Sequence, residues 1–199
     1  VRSRRQRQMC IRDRTWIEQT RNEEYIMGVD EVGRGPLFGG VAAAALIMPK
    51  NIFIMGINDS KKLSEKKRNL FFNEIWKRSL AIGLGYMDEK VIDKVNILEA
   101  TKMAMDQAIK NASKILKPDL IIVDSVKLSG YDNLISIDHG DVISYNVAAA
   151  SIVAKVSRDN LCYGWDKIYP GYDLKNNKGY GTKKHYLGLD QEGTSDLHR

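Results

Sequence analysis

Residues 28–36 read Gly-Val-Asp-Glu-Val-Gly-Arg-Gly-Pro, GVDEVGRGP. An apolar run, Tyr25-Ile-Met-Gly-Val29, stops at two adjacent carboxylates, Asp30 and Glu31, and an arginine framed by glycines follows before Pro36. The run has the length and residue types of a short buried strand, and glycine with proline punctuates its end. A similar pattern recurs downstream, where Asp119-Leu-Ile-Ile-Val-Asp124 is a continuous apolar run closed by an acid. That is the pattern of a strand buried on both faces. Strands 25–29 and 120–123, each ending at acids, predict an open α/β sheet whose functional groups collect at strand ends, where loops leave a crevice.

The rest of the chain fits around these two strands. Val41–Met48 reads as a second apolar strand, and Ile52–Ile57 as a third after the Pro49 turn. Ser64 is placed to cap a helix that carries Glu65 in its first turn and runs to about Arg78, with Leu70, Phe71 and Ile75 inward. Ala81–Met87 reads as a strand. Between Ile97 and Leu116, the residues Leu98, Met105, Ile109, Ala112 and Leu116 form one apolar stripe, which predicts a long helix stopped by Pro118. Met103, Met105 and Trp76 read as core filler. Leu134–Ile137 is a further short strand, and Val142 to about Asp166 a helix that opens on the small-residue run NVAAASIVAKV. The segment KNNKGYGTKKH reads as a polar glycine loop. This order of elements predicts an α/β domain around a mixed central sheet flanked by helices.

At 199 residues the chain suits one domain with one core. Its longest apolar stretch, VAAAALIM at 41–48, is far short of the ~18 residues of a membrane span. Cys10 and Cys162 match no metal or disulfide spacing, which points to a reducing, cytoplasmic setting. The net charge of +6 suggests nucleic acid, but its distribution weakens that argument. Residues 1–14, VRSRRQRQMCIRDR, hold six arginines against one aspartate, so five of the six net charges sit there and the remainder carries +1. Residues 1–20 are therefore set apart, as a disordered basic tail or as non-native, translated non-coding sequence. The case for a nucleic-acid partner rests instead on local clusters: Lys61-Lys62, Lys66-Lys67-Arg68, and Lys175, Lys178, Lys183 and Lys184.

Asp30, Glu31, Asp124 and Asp141, the last just ahead of a helix start in HGDVISYN, are the candidate site acids. Each is open to two readings, a cap or turn residue on one side and a ligand on the other. Were the four to converge, their repulsion would have to be offset by a hard cation such as Mg2+ or Mn2+, and four carboxylates suit a two-metal phosphoryl-transfer centre. The GRGP turn matches neither a P-loop nor GxGxxG. Its glycines either make a plain bend or let the backbone approach a ligand while Arg34 pairs with a phosphate. In KGYGTKKH, Tyr180 stands between two glycines among Lys178, Lys183 and Lys184; it either stacks on a sugar or base or packs down onto the body. His185, alone in that loop, either helps product release or ligand contact or is a surface or capping residue.

Taken together, DEVGRGPL (30–37), NDSKKLS (58–64), NILEATKMAM (96–105), IIVDS (121–125), HGDVISYNVAAASIVAKVSRD (139–159) and KGYGTKKH (178–185) resemble the type 2 ribonuclease H family, ribonuclease HII, in order and spacing. The resemblance covers residues 25–199 and implies a ribonuclease H-like fold. It implies four catalytic, metal-holding acids at Asp30, Glu31, Asp124 and Asp141, with Mg2+ or Mn2+, two ions, as cofactor. The implied reaction is hydrolysis on the 5′ side of a ribonucleotide embedded in duplex DNA, and of RNA in RNA–DNA hybrids, leaving a 3′-hydroxyl and a 5′-phosphate. By the same resemblance Gly33, Arg34 and Gly35 read the 2′-hydroxyl that separates RNA from DNA. Tyr180 stacks on the following deoxyribose, and Lys61, Lys62, Lys183 and Lys184 hold phosphates. A monomer acting away from membranes is expected. Three departures stand out: Phe38-Gly39-Gly40 where the family has a small residue and proline, Ser125 where it often has glycine, and an end at His198-Arg199 where it continues, so that truncation at the C-terminus is expected. The alternatives are a ribonuclease HIII-like hybrid nuclease and a catalytically impaired nucleic-acid-binding fragment.

Overall fold

A computed structural model describes residues 15–57 and 63–199. Within them the elements are α1 (Ile17–Thr20), β1 (Ile26–Val32), β2 (Val41–Ile47), α2 (Glu65–Arg78), β3 (Ala81–Met87), α3 (Glu89–Val95), α4 (Ile97–Ser113), β4 (Leu120–Asp124), β5 (Leu134–Ile137), α5 (Gly140–Ile143), α6 (Tyr145–Ile168), α7 (Leu174–Asn177) and α8 (Lys183–Glu192). One five-stranded sheet runs β3-β2-β1-β4-β5. Its first three strands are antiparallel neighbours, whereas β1–β4 and β4–β5 are parallel pairs. The sheet is mixed, as expected.

Strand alternation divides the core. Met27, Val29, Ala43, Ala45, Ile121 and Val123 face α4, where Ala104, Met105, Ala108 and Ile109 meet them. On the other face, Ala44 and Leu46 pack with Ala148, Ala149, Ile152 and Val153 of α6 and with Ile75 of α2, while Ile26 and Ile122 enclose Val147. The small-residue run of α6 permits close approach. A Cβ on Gly28 of β1 would fall 2.1 Å from the backbone carbon of Asn146, so only glycine lets the first turn of α6 lie there. Asn146 fixes the contact, donating from Nδ2 to the Ile26 carbonyl at 2.6 Å and accepting from the Met48 amide at 3.3 Å.

Several local expectations need correction. Ile52–Ile57 forms turns rather than a strand. Leu70, Trp76, Leu98 and Met103 are exposed, because each lies on the outer side of a helix whose inner stripe is already filled. The segment after Gly181 is not a loop: Thr182 caps α8, its hydroxyl accepting from the His185 amide at 3.3 Å. The helix expected from Val142 is broken at Ser144, whose hydroxyl caps α6 at the Val147 amide, and Asp141 is left on the separate turn α5. Residues 15–20, set aside with the head, supply Glu18, buried against the start of α6. Its carboxylate accepts from the Ser144 hydroxyl at 2.5 Å and from the Tyr145 and Asn146 amides at 3.0 Å each. A negative charge there also complements the helix dipole. Residues 1–14, Lys61 and Lys62 lie outside the described residues.

Candidate active site

The acid-ended strands β1 and β4 are parallel neighbours, with Val29 in register with Val123. One step further along, Asp30 and Asp124 stand side by side. Both continue the face of Ile26, Gly28 and Ile122, the face covered by α6. Asp141 comes to that face from α5, immediately ahead of α6. Glu31 follows Asp30 and falls on the opposite face by the same alternation. Here β1 differs from expectation: it does not stop at Val29 but runs through both acids to Val32, because Ala42–Ala44 of β2 continue the ladder opposite them. Backbone pairing therefore holds the acids, which makes their placement more rigid than a loop would allow.

The acids lie within electrostatic reach of one another. Burial holds the Asp30 carboxyl well above the usual carboxylate range, and the charges of Glu31, Asp124 and Asp141 push it the same way. Glu31 is raised too, by burial first; Arg34, whose Nη1 lies 3.5 Å from Glu31 Oε1, partly offsets this, while Asp124 adds to it. Donors hold some of the oxygens: the Glu31 amide reaches Asp30 Oδ1 at 2.8 Å, and the Gly140 amide reaches Asp124 Oδ1 at 2.7 Å. Glu31 Oε2 is buried and has no hydrogen-bond partner. Ser125, at the position where glycine was expected, sits at φ 52°, a conformation glycine adopts without strain and other residues at a cost of about 1–2 kcal/mol.

This donor set, all hard oxygen with one buried oxygen left over, fits a divalent cation of the Mg2+ or Mn2+ kind. It is an open set. Among the described residues no three His, Cys, Asp or Glu side chains stand together in a group that could hold a metal ion as placed.

The loop that follows is pressed against the KGYG segment. Leu37 N–H donates to the Gly179 carbonyl at 2.8 Å, and the Tyr180 ring lies 3.3 Å from where a Cβ on Gly35 would stand. Arg34, Gly35 and Tyr180 are exposed together at this junction, and Lys183 and Lys184 follow on α8, with Lys184 3.7 Å from Asp173. Gly33 has φ 97°, a left-handed conformation that favours glycine. Thus the described candidates Gly33, Arg34, Gly35 and Tyr180 lie on two adjoining loops, the first of which follows Glu31 directly, and Lys183 and Lys184 lie on the first turn of α8 just beyond.

Comparison with known proteins agrees with this layout. The family model described as Ribonuclease HII matches residues 27–199. The ribonuclease HII of Listeria monocytogenes is 52% identical over 176 residues, covering 88% of this chain and 67% of that protein. The chain belongs to the ribonuclease HII family. It is accordingly a type 2 ribonuclease H, a metal-dependent nuclease of the hydrolase class that acts on RNA–DNA hybrids, and the HIII-like and inactive-fragment alternatives are not favoured. Among solved structures, the ribonuclease H2 of Pyrococcus horikoshii superposes with a TM-score of 0.74 at 23% identity, covering 88% of this chain and 92% of that one. Bst-RNase HIII in complex with Mn2+ superposes at 0.65 and 16% identity, covering 88% and 72%. At these identities the likeness establishes the ribonuclease H-like fold. Among the described residues no helix is long and apolar enough to cross a membrane.

Residues that the sequence did not single out hold the loops from behind. Arg158 of α6 is 1% exposed; Nε donates to the Gly40 carbonyl at 3.1 Å, Nη1 to Lys178 at 2.8 Å and Nη2 to Phe38 at 2.9 Å. Arg199 Nη2 reaches the Gly33 and Pro36 carbonyls at 2.6 and 2.8 Å. Phe38, one of the departures from the family pattern, is fully buried among Trp165, Tyr169, Tyr172 and His198. His185 is buried as well, and its Nε2 lies 3.1 Å from His198 Nε2. A signal for Arg158 was present: it stands four residues from both Ala154 and Cys162 on the buried side of a helix, where a solvated arginine would not be placed.

Proposed function

We propose that this ribonuclease HII hydrolyses the phosphodiester on the 5′ side of a ribonucleotide embedded in duplex DNA, and the RNA strand of longer hybrids, leaving a 3′-hydroxyl and a 5′-phosphate. The observation that carries the reading is the meeting of Asp30, Asp124 and Asp141 at one sheet end, with Glu31 beside them and the glycine-framed loop next to it. Asp30, Glu31, Asp124 and Asp141 would hold two ions, Mg2+ or Mn2+. When bound, these ions supply Lewis-acid stabilisation of charge on the attacking and leaving oxygens. The chain's own residues do the rest. The ladder of β1 with β2 fixes Asp30 and Glu31, and that of β4 with β5 fixes Asp124. The Gly140 amide holds one Asp124 oxygen and leaves the other for ligation. Gly33 and Gly35 bring backbone close to the sugar, where one 2′-hydroxyl is recognised, and Arg34 sits between that sugar and Glu31. Tyr180, exposed beside Gly35, offers a face for the next deoxyribose. Lys183 and Lys184, with Lys61 and Lys62 outside the described residues, would give sequence-independent, salt-sensitive grip on phosphates. A monomer working in the cytoplasm suits this reading.

The test is incision of a duplex carrying one ribonucleotide, alongside a long RNA–DNA hybrid, with Mg2+ or Mn2+ and with chelator. Metal-dependent cutting 5′ of the single ribonucleotide is expected. Cutting of the long hybrid alone would overturn the junction-reading part of the proposal.

A further inference from the structure

We infer that Arg158 is a positioning residue for substrate discrimination: it sets the spacing between the Gly33–Gly35 loop and the Tyr180 loop, and so the test for a ribonucleotide followed by a deoxyribonucleotide. The inference rests on the reading of those loops given above. Arg158 is one of the largest fully buried side chains in the protein, and its planar fork is spent on carbonyls. Two of them, Phe38 and Gly40, follow the glycine-framed loop. The third, Lys178, stands two residues before Tyr180. The guanidinium also touches the first loop directly: a Cβ on Gly33 would lie 2.4 Å from Arg158 Nε. Behind it are the Trp165 ring, with its centroid 6.0 Å from Cζ, and Cys162 Sγ, 3.7 Å from Nη1.

A buried cation costs free energy that only fully formed hydrogen bonds offset, and a hydrophobic side chain would fill the same space without that cost. What the fork adds is geometry. Its donors are fixed relative to one another, so carbonyls from two chain segments more than a hundred residues apart in sequence are held at one separation. Between the loops themselves there is one backbone hydrogen bond, Leu37 N–H to the Gly179 carbonyl, and otherwise van der Waals contact, of Gly35 with the Tyr180 ring and of Gly179 with Phe38. Recognition of a junction needs the hydroxyl pocket and the tyrosine face one nucleotide apart, and an error of about 1 Å in such placement can cost on the order of 10²-fold in rate.

The experiment compares wild type with Arg158→Lys. Lysine keeps the charge but, as a compact ammonium, cannot span carbonyls in a planar fork. kcat and KM are measured on a single-ribonucleotide duplex and on a long RNA–DNA hybrid, and amide hydrogen exchange is followed in both loops. The expected result is a fall of about tenfold in the ratio of kcat/KM for the single-ribonucleotide substrate over the hybrid, with faster exchange confined to residues 33–40 and 178–182. A merely structural role would lower activity on both substrates in proportion and speed exchange throughout α6 and the sheet; that outcome, or an unchanged ratio, overturns the inference. Should Arg158→Lys fail to fold, Arg158→Gln, which removes the buried charge and keeps two N–H donors, is put through the same comparison. Arg34→Ala and Tyr180→Ala separate the two levels. If neither moves the ratio, the reading of the loops is wrong; if they move it and Arg158→Lys does not, only the present inference fails.

Discussion

The front and the back of the two adjoining loops, 33–40 and 178–182, are built on opposite principles. At the front, four carboxylates gather with a buried, unpartnered Glu31 oxygen and an Asp30 that burial and three neighbouring charges push toward protonation. At the back, the arginines Arg158 and Arg199 direct their donors at carbonyls, and the His185–His198 pair closes the cluster. The front is left short of positive charge, whereas the back is densely bonded within the protein. The contrast teaches that side-chain donors are concentrated behind the loops, whereas the acids in front are held by backbone pairing and left under electrostatic strain. A site that needed no ion would have no reason to hold its acids so unfavourably.

The largest break in that contrast comes from Asp30→Asn. The amide oxygen can still accept from the Glu31 amide, so the fold is kept. Activity is expected to fall by roughly 10²–10³-fold, the scale seen when a group acting on transition-state charge is lost. Stability of the metal-free protein should move the other way, because a buried carboxylate with three like-charged neighbours has been neutralised. A gain of about 1 kcal/mol corresponds to a rise of about 2–4 °C in Tm for a chain of this size. An unchanged or lowered Tm in chelator would mean that the acids are not under strain.

Next in size is Glu18→Ala, which removes a carboxylate from behind the site. Three donors at the start of α6 lose their partner, two of them backbone amides. Hydrogen bonds to a charged group are worth about 1.5–3 kcal/mol each, and part of that is recovered from water once the site opens. A loss of about 2 kcal/mol, some 4–8 °C in Tm, is expected, with metal-dependent cleavage by the folded fraction retained. Loss of activity without loss of stability would instead place Glu18 in the chemistry.

Much of this was legible in the chain. Apolar runs closed by acids marked β1 and β4, but that the two strands are neighbours and put Asp30 and Asp124 on one face comes from the sheet order and register. What escaped was whatever depends on meeting a distant segment. The break at Ser144 that turns Asp141 away from α6 follows from the cap and from Glu18, 126 residues earlier, not from the local run, which reads as unbroken helix. Ile52–Ile57 has strand-like composition yet no neighbouring edge to pair with, since β3 takes that place beside β2. His185 looked like a surface residue because its loop is polar. In the structure that loop is a helix, and the histidine turns inward onto Phe38 and Tyr172.

The smallest effect concerns the two histidines, and its sign can be worked out. Ser195 N–H donates to His198 Nδ1 at 2.9 Å, so that nitrogen is unprotonated and the proton of the neutral ring sits on Nε2. His198 Nε2–H then donates to His185 Nε2, whose own proton must lie on Nδ1, facing the Tyr180 carbonyl at 3.1 Å. Every position in this chain is filled with both rings neutral, and a further proton on His185 Nε2 would set two N–H groups against each other. The remaining neighbours, Phe38 and Tyr172, bring no charge to relieve that conflict. Burial accordingly holds both imidazoles below their ordinary value, and for His198 the His185 ring adds to it. Groups with lowered folded-state values take up more protons when released, so their contribution is complete above about pH 6.5 and is lost as pH falls from there. Acid should therefore loosen the 195–199 segment, and with it the Arg199 bonds to Gly33 and Pro36, before it unfolds the sheet. NMR titration of the two rings checks this: both should titrate below 6.5, and either one titrating at or above that value would mean that the back of the loops is not held by a neutral pair.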